Sequence, residues 1–169
     1  MSQLKVNSII PVAGVPTGGG GGIVQIKQSV KTDVQTTTAQ FGSWVDISGL
    51  SVAITPTSSS SKILINYSLM CSANNVIVGI KLLRGSTAIG EGAGTPSTSN
   101  YKASLFSWTG GNNLSTMSKF VLDSPATTSA TTYKLQFAGH NGGTCGINDF
   151  TGGGNYLTDS TLTVMEVSA

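Results

Sequence analysis

The sequence KILINYSL, residues 62–69, carries the pattern that decides the fold class. Its apolar side chains occupy every second position, Ile63, Ile65, Tyr67 and Leu69, and polar side chains stand between them at Lys62, Asn66 and Ser68. Successive side chains of a β-strand point to opposite faces of the sheet, so this period of two predicts a strand with one buried face.

The same period recurs on both sides of that stretch. TYKLQF, residues 132–137, alternates in the same way, and in residues 114–122 Phe120 and Leu122 share a face with Leu114. Shorter candidate strands cover residues 44–47, 50–55, 101–108 and 161–167. Turn-forming Gly, Pro, Asn and Ser separate these segments at steady intervals, and no helical period of useful length is present. The chain from residue 23 to residue 169 is therefore predicted to be an all-β, jelly-roll-like antiparallel β-sandwich.

Five consecutive glycines, residues 18–22, divide this body from the N-terminal residues. A glycine run offers no side chain to bury and favours a hinge. Before it, residues 1–17 carry the apolar anchors Leu4, Val6, Ile9, Ile10 and Val12. Because an extended peptide with such anchors can add to a partner's sheet, residues 1–17 are predicted to be a docking arm, with a disordered terminus as the alternative. A phosphate-binding loop is rejected, since no Lys-Ser/Thr pair or helix follows the glycines.

The charge of the chain excludes several classes of partner. Only 9% of residues are charged, and the net charge is +2. The basic residues are scattered, so nucleic-acid binding is not expected. No apolar run approaches the length of a membrane span, and no secretory signal is recognisable.

Catalytic and metal-binding patterns are also missing from the sequence. The single histidine, His140, lies in turn-forming sequence without a nucleophile motif, and nothing pairs Glu91 with Glu166. His140, Cys145 and Asp149 are the nearest approach to a metal-ligand set, but their spacing is not that of a known site. We therefore expect a protein without enzymatic activity, cofactor or metal.

Binding is more plausible, because aromatic and amide side chains occur together in several predicted loops. The candidate receptor or glycan residues are Trp108, Asn112, Asn113, Asn148, Asp149, Phe150, Asn155 and Tyr156. Aromatic rings offer a flat apolar face to a sugar, and amides and carboxylates meet its hydroxyls. The alternative is that Asn and Gly only shape the turns while the rings cap the core.

Two segments are apolar on both faces of the predicted strand. They are residues 76–83 and 162–167, and the residues expected outside the core are Ile77, Leu83, Met165 and Val167. A two-layer sandwich covers one face of each sheet from within, so these residues are predicted to form an interface with further copies of the chain.

Most of the sequence resembles small virion proteins of tailed bacteriophages, especially cyanophages. The resemblance is carried by LKVNSIIPVAGVPTGGGGGIVQ (4–25), ISGLSVAITPTSSSSKILINYSL (47–69), LLRGSTAIG (82–90), LDSPATTSATTYKLQF (122–137) and STLTVMEV (160–167). It implies a particle-binding N-terminal peptide, a β-sandwich body and a trimer. The loops at residues 90–99 and 140–156 match no motif of that group, so no receptor-binding residue is carried over.

These observations lead to three functional expectations. The first is a homotrimeric tail fibre or receptor-facing knob in the virion, anchored to other virion proteins by its arm, with a host surface glycan as a candidate partner. The second is a capsid cement protein that stabilises the phage head. The third, a glycan-cleaving spike, is disfavoured because paired catalytic carboxylates are not evident.

Overall fold

The computed structural model describes residues 22–95, 101–109, 113–151 and 157–168. The predicted docking arm and the first four hinge glycines lie outside these ranges. The described elements are β1 (Ile23–Lys31), β2 (Gln35–Thr37), β3 (Val45–Ile54), β4 (Lys62–Ala73), β5 (Val76–Arg84), β6 (Thr87–Ile89), β7 (Leu105–Thr109), β8 (Leu114–Asp123), β9 (Thr131–Gly139), a 3₁₀ turn (His140–Gly142), β10 (Cys145–Ile147) and β11 (Ser160–Val167).

These strands form two antiparallel sheets packed face to face, which confirms the predicted β-sandwich. In the first sheet β1, β11, β4 and β8 are neighbours in that order, and in the second the order is β3, β9, β5 and β7. The pairing order of these eight strands is that of a jelly roll. The short strands extend this frame: β10 lies against the end of β4 and pairs with β2, and β6 pairs with the end of β5.

Alternation along β4 explains how the core is built. Ile63, Ile65, Tyr67 and Leu69 are all fully buried between the sheets, as the period of two predicts. Opposite them, the second sheet contributes its own alternating residues, including Ile80, Leu135 and Phe137. The core between the sheets is therefore built mainly from apolar side chains, and the residues that alternate with them along each strand point away from it.

The prediction for β8 is wrong about which face is buried. Phe120 and Leu122 are 63% and 62% exposed and point away from the core. The inward positions include Lys119, whose Nζ donates to the carbonyl oxygens of Gly90 and Ser104 at 2.7 and 2.8 Å. Lys119 and other polar residues lie on the inner face of β8, while Phe120 and Leu122 lie on its outer face. The alternation of apolar residues in the sequence therefore identifies the outer face as the buried one.

An ion pair joins the two sheets at the end of β8. The Arg84 guanidinium in the second sheet donates to both carboxylate oxygens of Asp123 in the first, at 2.9 and 3.0 Å. The Tyr133 hydroxyl donates to the same carboxylate at 2.7 Å. These bonds fix the separation and register of the two layers at this end of the sandwich.

Glu166 fixes the neighbouring loop to the end of β11. Its carboxylate accepts hydrogen bonds from the Thr57 backbone N–H and hydroxyl, both at 2.7 Å, and from the Gln25 amide at 2.6 Å. Burial by itself raises the pKa of Glu166, but the hydrogen bonds from Gln25, Thr57 and Ser61 outweigh it and lower the pKa to about 2. The ionised carboxylate is thus the form that stabilises the fold.

This arrangement predicts an acid-dependent loss of stability. Because the pKa of Glu166 is lowered from 4.5 to about 2, its contribution is complete above pH 4.5 and is lost as the pH falls towards 2. Glu166→Gln should be less stable than the wild type near neutral pH, and the difference should shrink as acid protonates the wild-type carboxylate. Urea unfolding of both proteins between about pH 6 and about pH 2.5 measures this. A difference that is constant across the range would contradict the assignment.

Candidate functional site

Six ring-bearing side chains form an aromatic surface on the outer face of the second sheet. The aromatic surface consists of Phe41, Trp44, Tyr101, Phe106, Trp108 and His140. Phe41 is its centre: its ring lies 5.4 Å from those of Trp44 and Phe106, 4.9 Å from Tyr101 and 5.8 Å from His140. Trp108 extends the surface along β7, two residues beyond Phe106 and on the same face.

A glycine in β5 lets these rings lie close to the sheet. Gly79 pairs with Phe106 across β5 and β7. A Cβ atom at Gly79 would lie 2.7 Å from the Trp44 ring and 2.9 Å from the Phe41 ring, so no side chain fits there. Glycine inside a strand often marks such a close approach.

The segment before β3 is fixed in place by backbone hydrogen bonds to the end of β9. The Gly139 N–H donates to the Ala39 carbonyl at 2.8 Å, and the Phe41 N–H donates to the Gly139 carbonyl at 3.2 Å. The Ser43 N–H closes the turn by donating to the Gln40 carbonyl at 2.8 Å. This turn carries Phe41 and Trp44 across the sheet and above Gly79.

Two lysines on the face of the aromatic surface are paired with carboxylates. Lys81 Nζ lies 4.9 Å from the centre of a Trp44 ring and 3.2 Å from a carboxylate oxygen of Glu91. Further along the same face, Lys134 Nζ donates to Asp46 at 2.8 Å. Lys81 and Lys134 are thus each paired with a carboxylate, and the cation over Trp44 adds a favourable interaction with its ring.

A row of aliphatic side chains crosses the outer face of the first sheet. Strand register places Ile26 of β1 opposite Met165 of β11, Met165 opposite Leu64 of β4, and Leu64 opposite Leu122 of β8. Ile26 is 59% exposed, while Leu64 and Met165 are partly covered by their neighbours. We call these four residues the apolar row. An exposed apolar patch of this kind marks an interaction surface.

The residues predicted for the subunit interface lie on opposite sides of the sandwich. Met165 is part of the apolar row and Val167 lies on the same outer face of the first sheet, whereas Ile77 and Leu83 are on the outer face of the second. Leu83 is only 7% exposed in the single chain, and Ile77 is paired with Trp108. The four residues therefore do not form one continuous surface.

The predicted binding residues are also separated by the structure. Trp108 lies in β7 as part of the aromatic surface, and Asn113 is exposed before β8. Asp149 and Phe150 are half-buried after β10, while Asn112, Asn155 and Tyr156 lie outside the described residues.

Asn148 has a structural role in its surroundings. It is fully buried, and its amide donates to the Lys31 carbonyl at 2.8 Å while its side-chain oxygen accepts from the Ser160 hydroxyl at 2.6 Å. Its hydrogen-bonding groups are used inside the protein and are not available to a ligand.

Sequence reasoning missed most of the aromatic surface. Only Trp108 is among the predicted binding residues; Phe41, Trp44, Tyr101, Phe106 and His140 are not. Two signals point to them in retrospect. LFSWT, residues 105–109, puts two aromatic rings on one face of a strand, and Gly79 interrupts an otherwise apolar strand.

Within the described ranges the structure contains no group of three or more His, Cys, Asp or Glu that could hold a metal ion. Cys71 and Cys145 are both free and buried, and burial raises the pKa of the Cys145 thiol to about 11. Such a thiol is protonated at neutral pH and is a poor nucleophile. In the described part of the chain, no helix is long and apolar enough to cross a membrane.

Comparison with known proteins yields similarity only among solved structures. No protein-family model matches the chain, and no curated protein matches its sequence. A structure of the infectious bursal disease virus Gx strain matches 95% of this chain with 15% identity and a TM-score of 0.46. A crystal structure of the infectious bursal disease virus VP2 subviral particle matches 95% with 14% identity and a TM-score of 0.45. This chain spans 42% of each of those chains. Similarity at this level does not identify a function.

Proposed function

We propose that the chain is a non-enzymatic structural protein of a bacteriophage virion that forms a homotrimeric, receptor-facing knob. The observation that carries this proposal is the placement of the chain's entry point and of the aromatic surface at opposite ends of the sandwich. A protein held at one end and presenting binding groups at the other has the geometry of a receptor-facing knob.

The strand register defines these two ends. Ile23 at the start of β1 pairs with Val167, and Val167 pairs with Lys62 at the start of β4. β4 then runs the length of the sheet to Ala73, where a turn leads into β5 and the aromatic surface. At a rise of about 3.3 Å per residue, the two ends of β4 are about 35 Å apart.

The apolar row supports self-association through the first sheet. It crosses β1, β11, β4 and β8, and the exposed Phe120 lies beside it on β8. A stable contact buries about 800 Å² per partner, which is within the reach of one sheet face. The trimeric state is inferred from the resemblance to phage virion proteins. The apolar row alone is compatible with any closed symmetry.

The apolar row also favours a second candidate, the capsid cement protein. In that arrangement the same face packs against capsid subunits, and the docking arm locks neighbouring subunits together. The glycan-cleaving spike gains no support, because Glu91 and Glu166 are engaged separately with Lys81 and with Thr57.

Electron microscopy of intact particles tests the proposal. We expect threefold density on the tail, with the β4–β5 turn pointing outward and the Ile23 end towards the particle. Density at local threefold positions of the capsid would instead identify a cement protein. Density with the β4–β5 turn directed into the particle would contradict the receptor-facing role.

A further inference from the structure

The geometry points to a sugar-binding site on the aromatic surface, with neutral pyranosides as its ligands. This inference rests on the proposed function for its biological role, because a receptor-facing knob requires a surface that recognises the host. It goes further by assigning the site to particular residues and by committing to one chemical class of ligand.

The rings are more exposed than packing within the chain requires. Trp108 is 64% exposed, and Phe106 and Tyr101 are also exposed although they neighbour or contact other rings. The face of an aromatic ring is electron-rich and attracts the polarised C–H groups that line one face of a pyranose. Two ring-bearing residues on one face of β7 offer this type of contact side by side.

Polar groups at the rings are available for sugar hydroxyls. Among the residues that the structure describes, the ring nitrogens of Trp44, Trp108 and His140 have no hydrogen-bond partner within the chain. The Trp nitrogens donate, and a neutral His140 ring both donates and accepts. Binding sites for small molecules combine apolar walls with a few such polar groups, which fix the orientation of the ligand.

The pairing of Lys81 and Lys134 favours a neutral ligand over an acidic one. The cation that contacts the rings is Lys81, and it is already paired with Glu91 at 3.2 Å. A sialic acid or uronic acid would need a cation free to pair with its carboxylate. Lys134 on the same face is likewise held by Asp46.

A second copy of the chain is a less suitable occupant. The apolar row on the first sheet is aliphatic, with few polar atoms to satisfy, and suits a protein contact. The aromatic surface instead carries ring nitrogens that an apolar partner face would leave unpaired, at a cost in binding free energy. A second copy bound here would instead make Trp108→Ala change its oligomeric state.

Tryptophan fluorescence reports directly on this site. The chain contains two tryptophans, and Trp44 and Trp108 both belong to the aromatic surface. The purified full chain is applied to an array of neutral and acidic glycans, and lactose and sialyllactose are then titrated as a pair that differs in one acidic sugar. We expect neutral glycans to bind and to change the emission, with sialyllactose binding no more tightly than lactose. An array without neutral binders, or a clear preference for the acidic partner, overturns the inference.

Variants locate the binding and separate it from assembly. Trp108→Ala should weaken binding of the best neutral glycan about tenfold, as expected for one lost ring contact, measured by calorimetry. Phe120→Ala is the matched control, since Phe120 is 63% exposed on the other sheet; its affinity should not change. Equal losses in both variants, or a change of oligomeric state in Trp108→Ala, would overturn the site. The assay uses purified protein, so a negative result would contradict the sugar-binding site alone. The location of the protein in the particle is tested separately by electron microscopy.

Discussion

Replacing Leu122 with aspartate is expected to convert the assembled protein into folded monomers. Leu122 is 62% exposed in the single chain and stands opposite Leu64 in the apolar row. In a monomer the new carboxylate remains in water and costs the fold little. In a subunit contact it would be buried without a partner, at a cost of several kcal/mol, which corresponds to a weakening of association by more than about a hundredfold. Sedimentation at micromolar concentration measures the oligomeric state, and circular dichroism checks the fold.

Two further variants show whether the effect belongs to the first sheet. Leu157→Asp makes the same chemical change at a leucine that is 72% exposed and outside the apolar row, and it should leave the assembly intact. Ile77→Asp places the charge on the second sheet and should also leave it intact. If Ile77→Asp dissociates the protein while Leu122→Asp does not, the subunits associate through the second sheet. A wild-type chain that sediments as a monomer would contradict self-association altogether.

Removing residues 1–21 is expected to abolish incorporation into particles while the body still folds and associates. The cut falls before Gly22 because the Gly22 carbonyl accepts a hydrogen bond from the Ser168 N–H at 3.0 Å, and this bond belongs to the β-sandwich. The apolar anchors are lost with the removed segment, and with them the predicted docking to virion proteins; they are Leu4, Val6, Ile9, Ile10 and Val12. Immunoblots of purified particles, made in cells that supply only the shortened chain, measure incorporation.

A full-length chain with all five predicted anchors replaced by serine is the control for this experiment. It keeps the length of the N-terminal segment and removes the predicted anchors, so it should also fail to incorporate. Normal incorporation of the shortened chain would mean that the body docks by itself. Loss of association in the shortened chain would mean that residues 1–21 also hold the subunits together.

The sequence predicts the fold well where alternation reflects burial. Ile63, Ile65, Tyr67 and Leu69 follow the period of two and are buried as expected. β8 shows the limit of this reasoning. Its inner face includes Lys119, which is satisfied by carbonyl groups of the loop before β7, and its outer face carries Phe120. Alternation identifies the strand, but only the tertiary contacts decide which face meets the core.

The candidate site is less accessible to sequence reasoning because its parts are distant along the chain. Phe41, Phe106 and His140 come together only when β5, β7 and β9 pair in the second sheet. The pairing order of a jelly roll cannot be read from a period of two. The same limit applies to the predicted interface. In the sequence, Ile77 and Met165 are both apolar residues on the strand face expected to lie outside the core, but they belong to different sheets.

The hydrogen bond between Gly22 and Ser168 has a consequence for protein engineering. Because both ends of the β-sandwich meet at this bond, a fluorescent protein or peptide tag fused after Ser168 begins beside Gly22, on the side that the docking model places against the particle. The exposed Asn74–Asn75 turn is at the opposite end of β4, and Asn75 already adopts a positive φ of 54°. A short epitope inserted at this turn would be displayed outward. Cargo intended for presentation on the particle surface therefore belongs at residues 74–75 and not after Ser168.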